Sequence, residues 1–258
     1  MFKVGMVSVT FRRLTPEQIV ELVAQTELEG IEWGGDVHVP PGDFAAARRV
    51  AALTREAGLE VASYGSYFRL GEQEVAEFAP VLETAQALGA PNVRVWAGRV
   101  GSADADEAYH SRVRTDSRRI AEMAAAAGLS VSYEYHRNTL ADSLAATQSL
   151  LDAVDAPNLA TYWQPFPERS IEENARTLRA LLPRLSNVHV FHWEGGRRLP
   201  LAAGESAWRE YLSVIAGASR ERWALLEFVL EDDPERFRQD AATLVAWRRA
   251  LTAGAGSD

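Results

Sequence analysis

Residues 186–196 read SNVHVFHWEGG, a short apolar alternation that carries two histidines. Val188 and Val190 alternate with His189, as in a β-strand whose successive side chains point to opposite faces. His192 follows near the end of the strand, and two glycines then break the pattern. The chain has only five histidines, and two of them lie in this one stretch. A strand that ends in metal-capable side chains and opens into a glycine-containing loop is typical of an α/β-barrel active-site edge.

The rest of the chain repeats this unit. Short β-branched runs alternate with helix-forming runs, and the strands start roughly 30 residues apart, as in βα units. The predicted strands are 3–9, 30–35, 59–65, 92–98, 129–136, 158–165, 186–196 and 222–230. Eight such units predict an α/β fold, a (β/α)8 TIM barrel, as one domain over residues 1–258. The alternative, a doubly wound open sheet, needs a glycine-rich turn after its first strand, and residues 7–18 contain no glycine.

Helix-capping residues mark the starts of several predicted helices. The helices are expected at about 15–28, 43–57, 72–88, 106–127, 139–154, 205–216 and 233–251, with one more starting at residue 170. Their predicted start signals are Thr15 followed by Pro16, Asp43, a capping box of Thr139 and Asp142, a second box of Ser170 and Glu173, and Asp233 followed by Pro234.

Composition limits the class of protein. The chain has 258 residues, of which 47% are hydrophobic, and it contains no cysteine, which excludes a disulfide framework and a thiolate metal site. The N-terminal sequence reads as a first strand rather than a signal peptide, and no stretch reaches the length of a membrane span. We therefore expect a cytoplasmic protein without a membrane partner. A net charge of −9 disfavours nucleic acid as a partner.

Two glutamates interrupt otherwise apolar strands. Glu134 lies in VSYEYH and Glu227 in ALLEFVL. A buried carboxylate is costly unless it has a partner, so each is expected to be a catalytic or metal-binding group at the strand ends, or to pair with an arginine at the barrel mouth.

The histidines give further candidates. His189 lies near these glutamates in a barrel and is interpreted as a metal ligand, with a satisfied core histidine as the alternative. His192 is out of phase with His189 and is expected in the loop, as a substrate contact or a support for the ligands. His136 shares a face with Glu134 and is either a substrate contact or an exposed loop residue.

Other polar and aromatic residues at strand ends are candidate substrate contacts. Four tryptophans at strand ends would form an apolar wall for a sugar, or would pack the barrel against its helices. Arg197, with Arg198, would bind an anion or hydroxyl groups, or would be solvated. The tryptophans are Trp33, Trp96, Trp163 and Trp193, and the remaining candidates are Glu32, Tyr64 and Arg94.

These segments resemble the sugar-phosphate isomerase/epimerase-like proteins of the xylose-isomerase-like TIM-barrel superfamily. The resemblance covers nearly the whole chain. It is carried by GIEWGG (30–35), YEYHRNTLADS (133–143), PNLATYWQP (157–165), NVHVFHW (187–193) and ALLEFV (224–229). The superfamily includes ketose 3-epimerases, hydroxypyruvate isomerases and inosose dehydratases, so the resemblance implies no single substrate.

The resemblance implies one divalent ion held by Glu, Asp, His and Glu from strands five to eight. These positions correspond to Glu134, Gln164, His189 and Glu227, with Gln164 in place of the family's aspartate and Pro167 in place of a following histidine. Mn²⁺ or Mg²⁺ is the expected ion, with Zn²⁺ or Co²⁺ as alternatives. An amide oxygen can bind a hard cation, but the exchange removes one negative charge, so weaker metal retention is expected.

The leading functional hypothesis is a metal-dependent sugar or sugar-phosphate isomerase or epimerase. Glu134 and Glu227 would remove and return a proton next to a carbonyl, through an enediolate. The alternatives are a polyol or inosose dehydratase on the same site and a non-catalytic sugar-binding barrel that has lost its metal. An endonuclease-IV-like repair enzyme would need a histidine-rich zinc cluster and a basic surface. The resemblance also implies a homodimer or homotetramer.

Overall fold

The computed structural model describes residues 2–254, and at its centre eight parallel strands close into a barrel. The barrel strands neighbour one another in chain order, and the last of them closes the ring by pairing with both its predecessor and the first strand. They are β1 Lys3–Val7, β2 Gly30–Gly34, β3 Glu60–Arg69, β4 Asn92–Trp96, β5 Ser130–Tyr133, β6 Leu159–Trp163, β7 Leu185–Val190 and β10 Trp223–Leu226. The predicted (β/α)8 barrel is therefore confirmed.

Eight α-helices of the described chain connect the strands. They are α1 Pro16–Ala24, α2 Phe44–Glu56, α3 Phe78–Leu88, α4 Glu107–Ala126, α5 Leu144–Val154, α6 Ile171–Leu181, α7 Glu205–Ala216 and α8 Pro234–Gly254. Ser170 completes the predicted capping box with Glu173, and Thr15 and Asp43 cap α1 and α2 as predicted. None of the helices within residues 2–254 combines the length and apolar character needed to span a bilayer.

The predicted capping box of Thr139 and Asp142 is wrong. The side chain of Ser143 caps α5 instead, by accepting a hydrogen bond from the backbone N–H of Ala146. Asp142 is already occupied, because its two carboxylate oxygens accept hydrogen bonds from the backbone N–H and the hydroxyl of Ser102 at 2.9 and 2.6 Å. This tertiary contact joins the loops after β4 and β5 and moves the helix start.

The stretch after β7 is a hairpin rather than the end of one strand. β7 stops at Val190, and β8 (His192–Glu194) pairs with β9 (Arg197–Leu199) in an antiparallel ribbon. Gly195 and Gly196, both with positive φ, form the turn between them. Two consecutive glycines favour such a tight hairpin turn, and the single predicted strand 186–196 overlooked this signal.

Side chains of each strand alternate between the barrel interior and the helical shell. Trp33 in β2 and Trp163 in β6 point to the shell, where their indole N–H groups donate to Thr54 of α2 and Thr177 of α6 at 3.2 and 2.9 Å. These two tryptophans therefore anchor helices to the sheet, which was the alternative to a sugar-binding wall.

Asp240 of α8 is buried, and burial raises the pKa of its carboxyl group to about 6. Between its ordinary pKa and this value the native state binds more protons than the unfolded chain, so stability falls as the pH rises through this window. Asp240→Asn keeps an acceptor for the N–H of Leu201, 2.9 Å away. We expect the variant to be more stable than the wild type at pH 7 by about 1–3 kcal/mol.

Thermal unfolding of both proteins between about pH 4 and 8 checks this prediction, because the stability difference should disappear as the pH falls toward 4. Asp152→Asn, on the exposed face of α5, serves as the control and should show no such trend. A stability difference for Asp240→Asn that does not change with pH would contradict a buried, proton-binding Asp240.

Candidate active site

A cavity of about 740 Å³ lies at the carboxyl ends of the barrel strands. Four polar side chains form its floor: Arg94, Glu134, Gln164 and Glu227. The last three directly follow the final residues of β5, β6 and β10. A cavity of this size, at this end of a parallel barrel, suits a small-molecule substrate.

Arg94 joins two glutamates at the centre of the barrel. Its Nε donates to Glu32 at 2.9 Å, and its Nη1 donates to Glu134. All three side chains are almost completely buried, since Arg94 is 1% and Glu32 0% exposed. The predicted alternative of an arginine partner is therefore observed for Glu134. Glu32 and Arg94 were predicted as substrate contacts, but Glu32 lies below the cavity and Arg94 is occupied by the two carboxylates.

The surroundings of Glu32 fix this ion pair. Ser63 and Tyr162 donate hydrogen bonds to its second oxygen at 2.5 and 2.7 Å. Burial alone would raise the pKa of Glu32, but Arg94, His189 and the Ser63 hydroxyl hold it well below its ordinary value. Gly65 provides the space for the guanidinium, because a Cβ there would lie 2.5 Å from Nη2 of Arg94.

His189 lies between the ion pair and the second catalytic candidate. Its Nδ1 is 3.4 Å from Glu227 and 3.3 Å from the side-chain oxygen of Gln164, and its Nε2 is 3.6 Å from Glu32. The imidazole is fully buried, and Nε2 has no hydrogen-bond partner among the described residues. A buried polar atom without a partner is costly, so this nitrogen indicates a site made for more than packing.

The floor carries more negative than positive charge. Arg94 pairs with Glu32 and Glu134, and Glu227 lies beside His189, so these three buried carboxylates and one arginine have a net charge of −2 when His189 is neutral. Burial raises the pKa of Glu227. Burial would lower the pKa of His189, but the neighbouring Glu227 and Glu32 raise it. Without a further cation, the floor thus balances its charge by binding protons.

The donor atoms of Glu134, His189 and Glu227 fit a metal ion. One ligand atom from each lies within 4.8 Å of the others, and all three residues are buried. Two carboxylates and an imidazole are ligands for Mn²⁺, Mg²⁺ or Zn²⁺, and a divalent ion would neutralise the excess charge of the floor. Gln164, the fourth predicted ligand, brings its amide oxygen to His189 in the same cluster.

Aromatic side chains form much of the cavity wall, and three of the predicted residues belong to it: Trp96, His136 and Trp193. His136 and Trp96 make an edge-to-face contact with a centroid separation of 4.7 Å. Tyr67 and Phe228 also line the cavity with left-handed backbones, at φ of 60° and 57°, and Phe228 was not among the predicted residues. Arg12 links these two rings, since it donates to the Tyr67 hydroxyl at 2.9 Å and lies 5.9 Å from the Phe228 ring centroid.

Besides Glu32, four predicted substrate contacts lie outside the cavity. Tyr64 is fully buried and donates to the Val39 carbonyl at 2.7 Å, and Trp163 is bound to α6 as described above. His192 lies in a smaller cavity on the other side of the hairpin, and Arg197 is exposed in β9. Strand alternation points Trp163 away from the cavity. The hairpin formed by β8 and β9 carries His192 and Arg197 away from the end of β7.

The barrel and its polar floor define the class of protein. The family model of the xylose isomerase-like TIM barrel matches residues 20–247, so the chain belongs to this family. A 3-dehydroshikimate dehydratase from Bacillus anthracis is 27% identical over 168 residues, which cover 61% of this chain and 59% of the relative. The chain therefore matches less than two thirds of that relative's length.

Solved structures with the same fold include different enzymes. A probable 3-dehydroshikimate dehydratase from Bacillus anthracis has a TM-score of 0.81 at 20% identity, with 95% of this chain and 99% of that chain covered. A D-psicose 3-epimerase from Clostridium cellulolyticum H10 has a TM-score of 0.74 at 14% identity, with 97% and 99% covered. A 3-keto-D-glucoside 4-epimerase from E. coli has a TM-score of 0.72 at 15% identity, with 96% and 100% covered.

Proposed function

We propose that this protein is a divalent-metal-dependent dehydratase of a small polyhydroxylated carbonyl compound. The observation that carries the proposal is the charge at the cavity floor, where Glu134, Glu227 and the underlying Glu32 outnumber the single Arg94, and where Nε2 of His189 has no hydrogen-bond partner among the described residues. Such an excess of buried negative charge requires a counter-ion or bound protons.

Glu134, His189 and Glu227 would hold the ion, with the side-chain oxygen of Gln164 as the fourth protein donor. When bound, a divalent cation supplies electrophilic polarisation of a carbonyl oxygen and stabilises the negative charge that forms as a neighbouring proton leaves. The aromatic walls would exclude water from the substrate while the floor engages its polar end.

The two glutamates differ in their cationic partners. Arg94 binds Glu134 in a buried ion pair, whereas Glu227 contacts no arginine within the described residues. Glu227 is therefore the stronger candidate for the base that removes the proton next to the carbonyl. His136 Nδ1 donates to the Arg137 carbonyl at 2.8 Å, so only the imidazolium form of His136 has a proton on Nε2. In that form His136 would pass this proton to the departing hydroxyl group, while Glu227 keeps the proton that it removes. A carbon–carbon double bond forms and water leaves.

The ion pair that Glu134 makes with Arg94, and that Glu227 does not make, favours dehydration over epimerisation. An epimerase that uses two groups on opposite faces of one carbon needs both to exchange a proton. The 27% identity to a 3-dehydroshikimate dehydratase supports the same choice. Epimerisation of a ketose is the second candidate, because Glu134 and Glu227 come from different strands and both line the cavity.

Metal content and product mass together test the proposal. We expect the purified protein, dialysed against Mn²⁺, to hold about one ion per chain and to convert 3-dehydroshikimate to a product lighter by one water. Gln164→Asp, which adds a carboxylate, should retain the ion about tenfold more tightly. Atomic mass spectrometry and competition with a chelator measure both effects.

Each other outcome has a defined meaning. A ketose converted to an isomer of unchanged mass, with no loss of water from 3-dehydroshikimate, would replace dehydration by epimerisation. Protein that holds no ion, even as Gln164→Asp, would refute the metal-dependent mechanism and leave a sugar-binding barrel.

A further inference from the structure

We propose that the substrate carries a carboxylate and that Arg69 binds it. This inference rests on the proposed function, because it places the carboxylate at the end of the substrate opposite the carbonyl group that the cavity floor would engage. The observation is a cavity arginine that forms no ion pair with an acidic residue within residues 2–254.

Four arginines line the cavity, and three of them are paired within it or at its edge. Arg12 binds Asp36 at 2.8 Å, Arg94 binds two glutamates, and Arg137 binds Glu168. Arg69 makes no ion pair with any residue of the described chain. Its guanidinium Nη1 donates one hydrogen bond, to the carbonyl of Gly98 at 3.2 Å.

The fold holds Arg69 in place. It is the last residue of β3, opposite Trp96 of β4 in the parallel register, and its backbone N–H donates to the side chain of Gln73 at 2.8 Å. The guanidinium lies 4.2 Å from the centroid of the Trp96 ring. A stacked arginine keeps its planar set of donors available, which suits an oxyanion. The ring and the guanidinium thus form a fixed subsite in the cavity wall.

Charge indicates what this subsite binds. Arg69 is partly buried, and burial together with the nearby Arg99 lowers the pKa of its guanidinium. A partly buried cation without a partner gains from a bound anion. One guanidinium balances the single charge of a carboxylate, whereas a phosphate group carries about −1.5 to −2 at neutral pH. The negative floor would repel the carboxylate, so the acid group belongs at Arg69 and the carbonyl end at the floor.

Binding of shikimate and of its uncharged methyl ester tests the inference. Isothermal titration should show that the wild-type protein binds the acid about 10- to 100-fold more tightly than the ester. Arg69→Gln should bind both ligands equally weakly, and Arg69→Lys should keep part of the preference. Arg99→Gln removes a neighbouring exposed charge and should retain the full preference, which separates direct contact from a general field effect.

Equal binding of the acid and the ester to the wild-type protein, at any affinity, would overturn the inference. Tighter binding of D-fructose 6-phosphate than of shikimate, lost in Arg69→Gln, would also overturn it in favour of a phosphate. Shikimate is not the substrate of the proposed reaction, so its binding does not depend on turnover. A preference for the acid in a protein without metal or dehydratase activity would refute the proposed function alone.

Discussion

Glu227→Gln is expected to abolish turnover while the barrel stays folded. The amide keeps the size of the side chain but cannot remove a proton, and it is a poorer metal ligand than the carboxylate. Loss of a catalytic acid or base lowers the rate by about 10²- to 10⁴-fold, and loss of a metal ligand adds to this, so we expect kcat to fall at least 10³-fold. Steady-state assays of water loss, together with metal content, measure the effect.

The stability of the same variant separates chemistry from folding. Burial disfavours the charged form of Glu227, so the metal-free variant should unfold at the same temperature as the metal-free wild type or at a higher one. Glu172→Gln, at an exposed position in the first turn of α6, is the control and should leave both activity and metal content unchanged. Activity of Glu227→Gln within tenfold of the wild type would exclude Glu227 as the base.

Arg94→Met is expected to destabilise the protein strongly, whether or not a substrate is present. The substitution leaves Glu32, which is 0% exposed, without its cationic partner. Removal of one partner from a buried ion pair costs about 3–5 kcal/mol, because the remaining charge is uncompensated. Urea unfolding of the metal-free protein measures the change in the free energy of unfolding.

A double variant identifies the cause of this loss. Glu32→Gln combined with Arg94→Met removes the stranded charge and should recover at least about 1–2 kcal/mol relative to Arg94→Met alone. If Arg94 acted only as a substrate contact, Arg94→Met would lose activity with little change in stability. No recovery in the double variant would show that the loss comes from packing rather than from the charge of Glu32.

The sequence could predict the barrel and the centre of the site because both follow from regular patterns. Glu134, His189 and Glu227 each stand out as ionisable side chains at the ends of apolar strands, and parallel strands in a barrel bring these ends together. Their proximity in the structure, within 4.8 Å, is the consequence of this arrangement.

The partners of these residues could not be predicted in the same way. Glu32 and Arg94 lie on β2 and β4, and β3 separates the two strands. Their ion pair depends on the absence of a side chain at Gly65, a condition that strand patterns do not reveal. For the same reason, Glu32 and Arg94 were both interpreted as substrate contacts.

The cavity walls were the least predictable part of the site. Arg69 is the last residue of β3, but the prediction ended that strand at Gly65 and so left Arg69 outside the barrel edge. Phe228 reaches the cavity through a left-handed backbone, which carries no signal in an apolar run. Loop conformation depends on tertiary contacts, such as the link between Arg12 and Tyr67, rather than on periodicity.

The contact between Gly65 and Arg94 also determines how this barrel could be redesigned. The ion pair between Glu32 on β2 and Arg94 on β4 passes over Gly65 of β3. A new activity built on these three strands would therefore require new residues in the barrel interior as well. The ends of β6 and β7 and the hairpin that follows carry no such central ion pair. Directed evolution toward other substrates should therefore accumulate changes in the second half of the barrel and keep Glu32, Gly65 and Arg94 as an inherited unit.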